Sequence, residues 1–174
     1  MKPLAEQMAM YAAYHRNPRN RATHFIGVPA IAFAILIPMA WASVTLGDAR
    51  ISLAMVFTAA VLLYYLALDR PLAVASAILF LPMLVAAEWM AAQDMATALW
   101  TFAAFFVGGW VFQLVGHVWE GRKPALMDNL MQIFVAPLFL IVEAAQMLGL
   151  RRDLQAAVAA RMPGYLPRRD AHHS

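Results

Sequence analysis

The sequence predicts an all-α protein: a polytopic integral membrane helical bundle of four spans, with a fifth hydrophobic segment that is re-entrant or lies in the membrane plane, and amphipathic helices at both ends. Three observations predict it. Of the 174 residues, 63% are hydrophobic and 13% charged, against about 45–50% and about 25% in soluble domains. The apolar residues gather into five runs, roughly 25–46, 51–68, 72–92, 97–116 and 130–150. Each is near the ~20 residues a helix needs to cross a ~30 Å hydrocarbon core. No run alternates polar and apolar residues as a transmembrane β-strand does. A disordered chain, a coiled coil and an ordinary soluble enzyme are excluded. One membrane domain over 1–174 is expected, divided into an interfacial segment 1–22, a helical core 25–150 and a basic tail 151–174. Any chemistry then falls to the membrane domain itself.

In chain order, the first element is a short amphipathic helix from Pro3 to Tyr14, with Leu4, Met8, Tyr11 and Ala12 at helical spacing, expected along the membrane surface. Asn17-Pro18 ends it, because a residue before proline is pushed out of the α region. Thr23 then caps the first long helix. Short connections at 47–50, 69–71 and 93–94 make consecutive helices antiparallel neighbours. The fifth run carries Pro137, Gln132, Glu143 and Gln146 and reads as a hairpin broken near Pro137. A basic amphipathic helix from Arg151 to Met162 follows, stopped by Pro163-Gly164, and the tail is expected to fray.

Lysine and arginine set the orientation. Lys2, Arg16, Arg19 and Arg21 place the N-terminus in the cytoplasm, and four spans return the loop with Arg122 and Lys123 to that side. Keeping Arg151, Arg152, Arg161, Arg168 and Arg169 on that side favours a fifth run that does not cross, with full crossing as the alternative. The N-terminal stretch has no apolar core of a cleavable signal peptide. The basic residues flank apolar runs, so they read as topology signals and not as a nucleic-acid footprint. With no cysteine, thiolate nucleophiles and Cys-ligated metals are excluded.

Three of the five histidines, His15, His24 and His117, sit at span ends, all on the predicted cytoplasmic side; His172 and His173 lie in the tail. On one continuous helix His15 and His24 would lie about 180° apart, so they share a site only if the chain breaks between them, as Asn17-Pro18-Arg19-Asn20 allows. Glu120 follows His117 at i+3, on the same helical face. Three imidazoles and a carboxylate suit Zn, Fe, Mn or Ni. Each histidine taken alone also reads as an interfacial anchor or a helix C-cap, and Glu120 as the loop partner of Arg122 or Lys123. Gln113, one turn before His117, reads equally as a histidine's hydrogen-bond partner or as glue between helices. Trp100, Phe102, Phe105, Phe106 and Trp110 read as packing and lipid-facing residues.

Two stretches carry a resemblance. Tyr14-His15, then Asn20, His24, Gly27 and Pro29, resemble a Y-H-x(4)-N-x(3)-H-x(2)-G-x-P signature. Gln113, Gly116-His117, Glu120-Gly121 and Pro124-Ala125-Leu126 resemble Q-x(2)-G-H-x(2)-E-G-x(2)-P-A-L. Together they cover about a sixth of the chain. Both are similar to a small membrane-protein family that includes the fungal 2-hydroxy fatty acid dioxygenase. That fungal member is an Fe(II)-dependent enzyme of the endoplasmic reticulum in phytosphingosine breakdown. The resemblance implies a dioxygenase that uses O2 without 2-oxoglutarate and shortens a 2-hydroxy fatty acid by one carbon. It implies Fe(II) held by His15, His24 and His117, with Glu120 as a fourth ligand or as an orienting group. In this reading Arg122 and Lys123 neutralise the substrate carboxylate, Asn20 and Gln113 contact the substrate, and the acyl tail lies between helices among membrane lipid. A bacterial-type chain of this kind is expected in the plasma membrane, both termini cytoplasmic. Another metal-dependent lipid enzyme, such as a Zn hydrolase, and a non-enzymatic lipid- or partner-binding membrane protein are the alternatives.

Overall fold

The computed structural model describes residues 3–124, 127 and 132–166. His172, His173, Arg168, Arg169, Ala125 and Leu126 lie outside the described residues. The chain forms α1 (Leu4–Ala13), α2 (Pro18–Trp41), β1 (Ser43–Leu46), β2 (Ala49–Ser52), α3 (Leu53–Leu68), α4 (Arg70–Ala91), α5 (Met95–Glu120), α6 (Gln132–Met147) and α7 (Arg152–Arg161), then a 3₁₀ turn (Met162–Tyr165).

Helices α2 to α5 run antiparallel between two ends of the bundle. Three of them, α2, α4 and α5, are long and apolar enough to cross a membrane. The fourth expected span, α3, has 16 residues, about 24 Å at the helical rise. The outer face is apolar, with Ile78, Val85 and Trp100 exposed, as expected where lipid is the solvent.

Local chemistry sets the boundaries. Asn17 does not end α1, which already stops at Ala13. It caps α2, its side chain accepting the Arg19 N–H at 2.9 Å, and Pro18 opens the helix, where a missing N–H costs nothing. The expected cap, Thr23, sits inside α2 and donates to the Asn20 carbonyl at 2.7 Å. Ser52, Asp69 and Asp94 cap α3, α4 and α5 by accepting the N–H of Met55, Leu72 and Thr97. Gly121, at φ +69°, closes α5 in the left-handed conformation.

Three further expectations change. The first apolar run is not helical to Leu46: α2 stops at Trp41, and residues 43–52 form an antiparallel hairpin pairing Ser43 with Ser52 and Leu46 with Ala49. Hydropathy alone cannot separate an apolar helix end from a strand, and here Val44, Thr45 and a Gly47 at φ +61° favour the hairpin. Arg50 fastens it by donating to Glu88 at 2.8 Å and to the Ala40 carbonyl. Second, α1 does not lie on the membrane surface by its apolar face alone. Gln7, Ala9 and Ala13 are buried as well as Met8 and Tyr11, and no residue of the helix is exposed. Met8 and Tyr11 pack with α6 and α7 in one core cluster. Third, the fifth run is not a hairpin broken at Pro137, because α6 continues through that proline as one helix.

The contacts of α6 place it. Arg122, preceding it, donates to the Ala13 carbonyl at 2.9 Å. Phe134 in its first turn accepts from Tyr65 inside the bundle at 2.7 Å. Glu143 pairs with Arg21 at 2.8 Å, and Arg151, just beyond, pairs with Asp69 through two bonds of 2.9 Å. Ala13, Arg21 and Asp69 all belong to one end of the bundle, so α6 starts inside the bundle at Phe134 and runs outward to that end at Glu143. α7 then lies against α1 at that end.

The closest packing is between α2 and α5. A Cβ on Gly27 would sit 2.8 Å from the Gly109 carbonyl oxygen, and one on Gly109 would sit 2.7 Å from Ile31 Cγ1. A Cβ on Gly116 would run into Thr23 and Asn20. Small residues let the two backbones approach, as in membrane helix pairs generally, and this seam carries His24 and His117 to one place.

Candidate metal centre

His15 stands in the turn after α1, His24 in the second turn of α2, and His117 in the last turn of α5. All three are buried, at 3%, 2% and 6% exposure. One ligand-capable nitrogen from each lies within 4.8 Å of the others. The ring centroids are 4.4 Å apart for His15–His24 and 5.1 Å for each pair with His117. The turn at 14–17 is the break that two histidines nine residues apart required.

Hydrogen bonds decide which nitrogen each ring offers. His15 Nδ1 lies 2.8 Å from the Tyr11 carbonyl oxygen, His24 Nδ1 2.8 Å from that of Asn20, and His117 Nδ1 3.1 Å from that of Arg122. A carbonyl only accepts, so each Nδ1 carries the proton and each Nε2 of a neutral ring keeps a bare lone pair. His15 Nε2 and His24 Nε2 nevertheless stand 3.0 Å apart. Two lone pairs at that distance repel unless a cation or proton lies between them. A metal ion bound at about 2.1 Å sets adjacent ligand nitrogens about 3.0–3.4 Å apart. The donor set thus fits a metal: three neutral imidazoles, each turned by a backbone acceptor behind it. Burial, with His24 as the next cause, holds His15 well below the ordinary imidazole range and so in the neutral, ligating form. Tyr11 stacks flat on the His15 ring, centroids 4.0 Å apart at 7°, and limits its rotation.

Glu120 is outside the histidine cluster. One carboxylate oxygen accepts the Arg16 N–H at 3.0 Å, and the other accepts the Asn17 N–H at 2.8 Å and the Asn20 side-chain N–H at 3.0 Å. It pins the turn that carries His15 to the end of α5. Asn20 is completely buried beside it. Arg122 does not line the cavity described next. Its guanidinium lies 3.4 Å over the Tyr14 ring and donates to the Ala13 carbonyl, while its own carbonyl orients His117. Lys123 is exposed and also outside that cavity. Gln113 does line it.

The histidines form one end of a cavity of about 300 Å³, at the lower limit of small-molecule sites. Its walls descend between the helices past Val28, Ile31 and Ile35 to Leu36, Phe57 and Phe80. From His24 to Leu36 is twelve residues of α2, about 18 Å. Trp110 and Gln132 also line it. From the sequence Trp110 read as packing, and Gln132 only as a polar residue in an apolar run. Hydropathy carries no sign of which helix faces enclose a void.

The fold and the site define a class: an apolar helical bundle of membrane type with a buried three-histidine cluster at one end of an apolar cavity. The chain belongs to the Mpo1-like family, whose model, described as 2-hydroxy-palmitic acid dioxygenase Mpo1-like, matches residues 1–148. It is 32% identical over 157 residues to the 2-hydroxy-palmitic acid dioxygenase MPO1 of Saccharomyces cerevisiae, covering 89% of this chain and 87% of the yeast protein. No solved structure matches.

Proposed function

We propose that the protein is an Fe(II)-dependent membrane dioxygenase that shortens 2-hydroxy fatty acids by one carbon. The observation that carries this reading is the gathering of His15, His24 and His117, one ligand-capable nitrogen of each within 4.8 Å of the others and each Nδ1 bonded to a backbone carbonyl, at one end of an apolar cavity. The family and the yeast relative's name supply the substrate class. The overall change balances without a co-reductant: R–CH(OH)–COOH and O2 give R–COOH, CO2 and H2O. The C1–C2 bond breaks, C2 is oxidised to the new carboxyl, C1 leaves as CO2, and O2 is reduced. Bound Fe(II) would supply oxygen activation and a seat for the substrate's hydroxyl and carboxylate oxygens.

The protein's own residues hold and enclose. His15, His24 and His117 are the ligands. Glu120 positions His15 through the 16–17 backbone and is not itself a ligand. Gln113 offers its carboxamide N–H to the substrate carboxylate inside the cavity. The walls from Val28 to Phe80 take the acyl chain out of water. The test is turnover by the purified full chain, loaded with Fe(II), of 2-hydroxypalmitate labelled at C1. Labelled CO2 and pentadecanoic acid are expected in equal amounts, one O2 consumed per turnover. His15→Ala, His24→Ala and His117→Ala should each lose at least about a hundredfold, since even removing a ligand's orienting partner costs about 10–100-fold. Bound zinc, no iron-dependent turnover and hydrolysis of a lipid ester would overturn it.

A further inference from the structure

Among the described residues, three buried side-chain atoms have no hydrogen-bond partner: Asn20 Oδ1, Thr58 Oγ1 and Gln132 Oε1. Of the three residues, only Gln132 lines the cavity. It is 3% exposed and stands at the start of α6, close to Phe134, which meets Tyr65 inside the bundle. Its Nε2 faces Met10 Sδ at 3.6 Å. A thioether accepts and never donates, which fixes the amide: the NH2 group toward Met10, the carbonyl oxygen away from it. Buried acceptors are normally paired, so a donor from outside the protein is the missing half.

Gln113 also lines the cavity and is assigned above to the substrate carboxylate; the histidines and Tyr65 are committed. Each histidine Nδ1 is bonded to a backbone carbonyl, and the Tyr65 hydroxyl donates to Phe134. A fatty acid entering as its carboxylate brings only acceptors. A 2-hydroxy fatty acid brings one donor, the hydroxyl on C2. Resting on the function proposed above, we infer that Gln132 is a specificity determinant: its Oε1 accepts the hydrogen bond of the substrate's 2-hydroxyl and so separates 2-hydroxy acids from their unsubstituted counterparts. A site built around a substrate hydroxyl rejects the analogue that lacks it, because the site's own polar group is then left unpaired.

The experiment measures binding, not turnover. The full chain in lipid nanodiscs is loaded with Fe(II) under anaerobic conditions and titrated with 2-hydroxypalmitate and with palmitate. Gln132→Met keeps length and shape but removes the acceptor. Wild type should bind 2-hydroxypalmitate at least about tenfold tighter than palmitate, and Gln132→Met should weaken 2-hydroxypalmitate by about tenfold while leaving palmitate unchanged. The palmitate arm reports a variant that has simply lost its fold. Equal weakening of both acids, or no change in either, overturns the inference. Wild type that cleaves 2-hydroxypalmitate while Gln132→Met keeps the full preference overturns it alone. Wild type that binds neither acid overturns the proposed function with it.

Discussion

At the scale of single residues, the three-histidine cluster depends on groups that stand outside it. Each imidazole has its Nδ1 held by a backbone carbonyl, so tautomer and ring direction are set before any ligand arrives. Glu120 works one step further out. Its two oxygens take three N–H donors from the turn that presents His15. Hydrogen bonds to a charged group are worth about 1.5–3 kcal/mol each, less where water reaches them, so Glu120→Ala should lower unfolding stability by about 2 kcal/mol. Glu120→Gln, which keeps one acceptor oxygen, should recover part of that. A positioning role leaves the metal content at saturation unchanged in both variants, although affinity falls. A ligand role would cut the content, and metal analysis beside a denaturant titration separates the two. The i+3 spacing set Glu120 on the helical face of His117. It could not say whether the carboxylate met a metal or a backbone 104 residues away, because that depends on where the 14–17 turn lands.

At the scale of elements, the site exists because α2 and α5 touch along Gly27, Gly109 and Gly116. His24 and His117 project from this seam, and widening it would part them. Gly109→Ala puts a methyl 2.7 Å from Ile31 Cγ1 and 3.0 Å from the Gly27 carbonyl oxygen. Such overpacking should cost about 1–3 kcal/mol and weaken metal binding. Gly108 is the control: a Cβ there meets nothing within 4 Å, so Gly108→Ala should hold or raise stability by up to about 1 kcal/mol. Thermal melts of both variants with and without metal check this. These glycines also show what the chain made legible. The long apolar helices were readable from run length, because lipid-facing helices must satisfy their own backbone. The two histidine motifs were readable because their residues lie close in the chain. The hairpin at 43–52, the unbroken α6 and the role of Gln132 were not. Each is decided by contacts between distant segments, such as Arg50 with Glu88 or Phe134 with Tyr65, which leave no periodicity.

At the scale of the whole molecule, one end of the bundle is tied shut by the chain's outer segments. α7 and the 3₁₀ turn pack on α1, with Arg161 3.9 Å from Glu6 and the Tyr165 hydroxyl bonded to it. The firmest of these ties is Arg151 to Asp69, a two-bond pair at 2.9 Å joining the α3–α4 corner to the segment that leaves α6. It anchors the exit of the helix that packs against Tyr11 and His15 through Phe139. Burial by itself would raise the Asp69 carboxyl, but the Arg151 guanidinium and the Leu72 N–H outweigh it and hold it below the ordinary carboxylate range. A carboxyl whose folded value lies below its unfolded value of about 3.9 stabilises the fold fully above that pH. The contribution is lost as pH falls from there through the depressed folded value. Both side chains keep some water contact, at 23% and 16% exposure, so the tie is worth about 1 kcal/mol. Asp69→Asn removes the charge yet keeps a side-chain oxygen to cap α4. Its melting temperature should fall below that of wild type at pH 7 by a few degrees, about 2–4 °C for a chain of this size. The gap should narrow as both are titrated from pH 5 toward pH 2. A gap that stays constant across that range would show that Asp69 acts through its cap alone, and one that widens on acidification would reverse the sign assigned to the pair.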